Sequence, residues 1–131
     1  MYTYDQVWTE FLLNYKVEDA DLPDSPSRIK EHINSAIRMM NNRLRITIVG
    51  DDTNELLVGM VNDDELLLLA HYIRLAFLIN EKTYYEKLWQ PFSTDIGLKD
   101  FGTQLRSLDS SVKQQKEFIE QVILNMTEDF L

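Results

Sequence analysis

The sequence predicts an all-α fold: a small bundle of about four helices, with one short extended or irregular excursion between the second and third. Three observations carry that expectation. Apolar residues recur at helical spacing in four separate stretches, and the last stretch is heptad-patterned almost to the C-terminus. Four glycines and three prolines in 131 residues are few, which favours long helices over a turn-rich β architecture. A chain of this length, 44% hydrophobic and 27% charged, is expected to form one domain, residues 1–131, with a modest buried core.

The first helix is expected over residues 1–16. Tyr4, Val7, Trp8, Phe11, Leu12 and Tyr15 fall on one face, and Thr3 or Asp5 can cap it. The following VEDADLPDS, 17–25, is acidic, aperiodic and contains Pro23, so it reads as a loop. A second helix, 26–45, starts at the N-cap Ser25. Pro26 takes the first helical position, where its missing N–H costs nothing. Ile29, Ile33, Ala36, Ile37, Met40 and Leu44 form its apolar face. Arg28, Lys30, Arg38 and Arg43 lie on the other, with Arg45 just beyond. The β-branched RITIV, 45–49, is either an extended segment or a frayed helix end. Gly50-Asp51-Asp52 is a turn signal, and 53–60 fits no single element.

The third helix, 62–89, has the clearest start. Asn62 is an N-cap, Glu65 three residues later resembles a capping box, and Asp63 and Asp64 oppose the helix dipole. The run LLLLAHYIRLAFLI is apolar nearly all round, so this helix should be central and buried on most sides. Pro91 should end it, because proline disfavours helical geometry at the residue before it. The fourth helix, 100–128, carries Phe101, Leu105, Leu108, Val112, Gln115, Ile119, Val122 and Met126 at alternating steps of four and three. That is a heptad seam. It either packs inside the bundle or accepts a partner helix from another chain, and its polar break Gln115 can fix register at some cost in stability.

The polar residues form no catalytic or cofactor motif. The four glycines make neither a phosphate loop nor a dinucleotide fingerprint. Ser110 and Ser111 have no histidine at helical spacing, so neither a catalytic residue nor an enzymatic activity is expected. Asp51-Asp52 and Asp63-Asp64-Glu65 are oxygen-rich, but they lack the spacing of a calcium loop, and no metal or other cofactor is expected. His71 and Arg74 lie one turn apart in the most apolar helix. They are either a polar pair at a buried site or structural, with both at the thinnest edge of the helix or with Arg74 ion-paired across the core. His32 falls on a charged face and is expected to be solvated. Tyr84, Tyr85, Trp89 and Phe92 are either an interface anchor or core packed against Trp8, Phe11 and Tyr15 of the first helix.

The net charge of −9 argues against general electrostatic binding to DNA or an anionic membrane, and the absence of cysteine excludes disulfide and thiol chemistry. No signal peptide or membrane-spanning stretch is expected. Within this acidic chain, Arg28 to Arg45 holds five basic residues against one Glu. That is either an ordinary solvated face or the mark of an electrostatically asymmetric subunit. Copies of such a subunit can dock basic face to acidic face, and the basic face can line a DNA channel through phosphate contacts.

The order of these pieces also carries a resemblance. The helix at SPSRIKEHINSAI, the turn-rich excursion, the buried helix at DDELLLLAHYIRLAFL and the following Tyr84 and Tyr85 resemble the small head-to-tail connector proteins of tailed bacteriophages, also called adaptor or head-completion proteins. The likeness covers Ser25 to Trp89 in pattern and the remainder in layout. It implies a structural virion component of the neck, assembled in the host cytoplasm. Such proteins form a homo-oligomeric ring of about a dozen subunits beneath the portal protein and extend the DNA channel. They also meet further neck or tail-completion proteins, with no membrane contact. On this resemblance Arg38, Arg43 and Arg45 are candidates for the channel or for a subunit contact. The alternatives are a small acidic partner-binding regulator of phage origin and a coiled-coil dimer held by Phe101 to Met126.

Overall fold

The computed structural model describes residues 2–16, 25–59, 62–89 and 98–129; the side chains of 88, 89, 98–101 and 127–129 lie outside that description. The element order is β1 (Tyr2–Thr3), α1 (Tyr4–Asn14), α2 (Pro26–Leu44), β2 (Val49–Asp51), β3 (Leu56–Val58), α3 (Asp63–Trp89) and α4 (Leu98–Asp129). The fold is mostly α-helical, as expected, with a small sheet that the helical pattern did not reveal.

Each helix begins where its local chemistry allows. Thr3 caps α1 through a full capping box: its hydroxyl accepts from the Gln6 amide, and the Gln6 side chain accepts from the Thr3 amide. Ser25 caps α2, with Pro26 in its first turn. The side chain of Asn62 caps α3 by accepting from the Glu65 amide at 2.9 Å. At the other end of α2, Arg45 adopts a left-handed conformation, φ 57°, which turns the chain out of the helix.

The excursion is a β-hairpin. β2 and β3 pair antiparallel, with Val49 opposite Val58 and Asp51 opposite Leu56. β1 then pairs with the outer edge of β3, giving the order β1-β3-β2. Tyr2 and Thr3 are therefore strand, not the start of a helix at residue 1. Asp51 holds the hairpin turn by accepting from the amides of Thr53 and Asn54 and from the Asn54 side chain; the side-chain bond foremost, then the backbone bonds, hold its carboxyl below the usual range. Asn41 of α2 reaches the hairpin as a surrogate strand: its side chain accepts from the Ile48 amide at 2.9 Å and donates to the Ile48 carbonyl at 2.8 Å.

Helix α3 is the hub, with α1, α2 and α4 all packed on it. This explains its all-round apolar composition: Leu68, Leu69, Ala70, Ile73, Leu75 and Leu78 are buried on different sides. Phe11 from α1, Ile33 and Met40 from α2, Leu57 from β3 and Ile119 from α4 complete the core, each contributing roughly 1.5–3 kcal/mol by burial. α4 runs antiparallel to α3, since Lys82 meets Asp109 and His71 meets Gln115.

Candidate functional site

The basic residues of α2 do not share one face. Arg43 turns towards α4 and forms a bidentate pair with Glu120, both bonds 2.7 Å. Those bonds hold the Glu120 carboxyl below its usual range. Lys30 turns to the hairpin, where its ammonium pairs with Glu55 at 3.3 Å and donates to the Asp52 carbonyl at 3.1 Å. Arg28, Arg38 and Arg45 remain exposed. Among the described residues, none of these three has a carboxylate partner.

A polar cleft of about 480 Å³ runs along α2 between the hairpin turn and Asn80 of α3, lined by Ser27, Lys30, Asn34, Arg38 and Asp52 among others. Asp52 is fixed in it. One carboxylate oxygen accepts from the Tyr4 hydroxyl at 2.6 Å and from the Asn34 side-chain amide at 2.9 Å. These two donors, Tyr4 foremost, hold Asp52 below its usual range, while burial and then Asp52 push the Tyr4 hydroxyl well above its own. A second groove, of about 210 Å³, opens on the other side of Lys30, between Asp5 and Trp8 of α1, Pro26 and Ile29 of α2, and Glu55. A third, of about 410 Å³, lies between the C-terminal part of α3 and the N-terminal part of α4, beside Tyr84, Tyr85, Gln104 and Leu108.

The structure places the other candidates as follows. Val112 and Ile119 of the seam are buried in the chain's own core, with Val122 and Met126 packed against them and Leu105 and Leu108 half-buried. Ile123, which lies off the heptad, is buried as well. Gln115 lies at the junction of three helices. Its side-chain amide donates to the Tyr15 hydroxyl at 2.9 Å and to the His71 carbonyl at 3.1 Å. The same hydroxyl meets His71 Nδ1 at 2.6 Å. The Tyr15 hydroxyl thus joins Gln115 of α4 to His71 of α3 through a single oxygen. Burial holds the pKa of His71 below the ordinary value.

One expectation is corrected and two sets of alternatives are narrowed. His32 is buried, not solvated. Its Nδ1 donates to the Arg28 carbonyl at 2.8 Å, leaving Nε2 to accept from Asn80 at 3.2 Å, and its ring lies against Phe77. Among the described residues Arg74 has no carboxylate partner; its guanidinium stands over the rings of Tyr15 and Phe77, 5.7 Å from each centroid. Tyr84 and Tyr85 do not pack against α1: Tyr84 is exposed, and the Tyr85 hydroxyl donates to Gln104 of α4. Phe92 and the side chains of Trp89 and Phe101 lie outside the described residues.

Sequence reasoning missed Asn34, Asn41 and the hub role of Tyr15. Each acts across the fold, and no spacing signals it. Among the described residues, no three His, Cys, Asp or Glu side chains are grouped to hold a metal ion, and no helix is long and apolar enough to cross a membrane.

The fold and its surface define a small helical protein whose polar side chains lock helices together or stand as exposed charge. The chain belongs to the family described as YomZ prophage protein, which it matches over residues 1–128. It is 46% identical over 131 residues, the full length of both chains, to the SPbeta prophage-derived uncharacterized protein YomZ of Bacillus subtilis (strain 168). No solved structure matches it. The matches give the phage origin that the resemblance implied, and they name a prophage protein, not a connector family.

Proposed function

We propose that the chain is a structural, non-enzymatic subunit of the phage particle, a head-to-tail connector that forms a ring beneath the portal and extends the DNA channel. One observation carries this reading. A chain of net charge −9 keeps Arg28, Arg38 and Arg45 exposed and without a carboxylate partner among the described residues, while Lys30 and Arg43 are neutralised within the subunit. Unneutralised arginines on an otherwise acidic subunit suit phosphate contacts in a channel or charge contacts between subunits. The coiled-coil alternative requires the seam for a partner helix, and Val112 and Ile119 already lie in the subunit's own core.

The test is particle assembly. Particles from an induced prophage lacking the gene are complemented with the parent chain or with Arg28→Glu/Arg38→Glu, and the neck is examined by electron microscopy. The parent should add stoichiometric density beneath the portal. The variant should fold by circular dichroism yet fail to enter particles or to support DNA retention. Complete necks in particles lacking the chain would defeat the reading.

A further inference from the structure

We infer that copies of the chain dock head to tail through one contact, in which Arg45 of one copy enters the groove beside Trp8, Asp5 and Glu55 of the next. The inference deepens the connector reading by naming the subunit contact, and it can fail separately.

The groove has the chemistry of a guanidinium site. Trp8 supplies an aromatic face, Ile29 and Pro26 an apolar wall for the alkyl stem, and Asp5 and Glu55 the negative charge. Lys30 borders the same groove, but its ammonium is directed to the hairpin, bound to one oxygen of Glu55 and to the Asp52 carbonyl. The Glu55 side chain is still about half exposed and Asp5 is exposed; among the described residues, Asp5 has no cationic partner. A cation seated there would complete the site.

Arg45 is the cation assigned to it, being exposed and without a carboxylate partner among the described residues. Its left-handed backbone sets it beyond the last turn of α2, exposed. Arg38 instead lines the polar cleft of its own subunit, and Arg43 is held by Glu120. The groove adjoins the first turns of α2 and Arg45 lies past its end. The 19-residue helix therefore separates donor from acceptor by about 28 Å. Two complementary, non-overlapping patches make a heterologous contact, the kind that closes into a ring or propagates as a filament.

The chain has no cysteine, so engineered thiols report on this contact without background. Asp5→Cys/Arg45→Cys is oxidised, both as concentrated purified protein and within assembled particles, and resolved on a non-reducing gel. Head-to-tail docking gives a ladder of covalent oligomers from the double variant and monomer from either single variant. Dimers from a single variant would show a symmetric contact and overturn the inference. Monomer throughout, in solution and in particles, would overturn it too. Both positions are exposed, so the variants should keep the parent's circular dichroism. Charge reversal supplies the second arm: Asp5→Arg and Arg45→Asp should each lose self-association, and the two together should regain it. Particles that take up the double-cysteine variant without a ladder would refute this contact and leave the connector reading standing. A ladder in solution with no uptake into particles would do the reverse.

Discussion

Tyr15→Phe removes one oxygen and thereby tests the junction of α1, α3 and α4. The Tyr15 hydroxyl receives Gln115 at 2.9 Å and meets His71 Nδ1 at 2.6 Å. Without it, Nδ1 of a ring that is only 6% exposed loses its partner, while Gln115 keeps the His71 carbonyl at 3.1 Å. Stranding a buried polar nitrogen costs about 1–3 kcal/mol, and because Tyr15 is half-buried, water can reach the vacated position, so the lower part of that range, about 1–2 kcal/mol, is expected. Gln115→Leu should cost less, about 0–1 kcal/mol, because Tyr15 still serves His71 and leucine adds apolar contact along the seam. The double variant should show a coupling of about 0.5–1.5 kcal/mol, since both changes act on one network. Urea unfolding followed by far-ultraviolet circular dichroism reads these as midpoint shifts at constant slope. A Tyr15→Phe protein as stable as the parent, or less damaged than Gln115→Leu, would refute the assignment of the hydroxyl as the hub.

The same junction predicts a pH dependence. Burial depresses the folded-state pKa of His71 below its ordinary 6.5, so between those two values the unfolded chain binds more protons. Stability should be full above pH 6.5 and fall as pH drops through the depressed value, a slope that His71→Gln flattens in unfolding curves. The depressed carboxyls of Asp51, Asp52 and Glu120 add a separate loss of stability as pH falls below their ordinary 3.8 to 4.5. Gly50→Ala should destabilise by about 1–3 kcal/mol on overpacking grounds, because its Cβ would stand 2.5 Å from the Tyr4 hydroxyl and 2.7 Å from Asn34, both tied to Asp52; urea midpoints check this. Asn41→Ala should cost about 1–3 kcal/mol by stripping both backbone bonds from the buried Ile48, with faster amide exchange at Ile48 as a local readout. Arg43→Ala should cost little, since its pair with Glu120 is nearly half exposed, and raising the salt concentration should shrink the difference in urea midpoint.

Much of the helical frame was legible because its determinants are local. The N-caps Thr3, Ser25 and Asn62 and the first-turn Pro26 act within a turn of their own positions. The all-apolar run of α3 correctly foretold a central helix, because only a helix covered on several sides can bury Leu68, Ile73 and Leu75 together. The sheet was not legible. Its strands are two or three residues long, too short to establish an alternating pattern, and β1 draws on residues that continue the helical spacing of α1. His32 was misread because charge surrounds it in sequence. On the helix it faces Asn80, and it satisfies its own Nδ1 one turn back, at Arg28. Gln115 stood out as a break in an apolar seam, yet its partners Tyr15 and His71 lie 100 and 44 residues away and only the fold brings them together.

The same separation between local and non-local determinants bears on the surface. A count of charges made α2 a uniformly basic helix, but the fold distributes those charges by direction. The side of α2 that meets α4 puts Arg43 against Glu120, and the side that meets the hairpin puts Lys30 against Glu55. The exposed arginines Arg28, Arg38 and Arg45 have no carboxylate partner among the described residues. If basic residues served only to keep this helix solvated, acidic and basic residues would do equally well on its outer side. Instead, among the described charged residues of α2, the one acidic residue is Glu31, and the outer charge is otherwise Arg28 and Arg38, with Arg45 beyond the helix end. In a chain whose remaining charge is strongly negative, those arginines stand as local positive charge, and the proposed head-to-tail contact draws on that contrast.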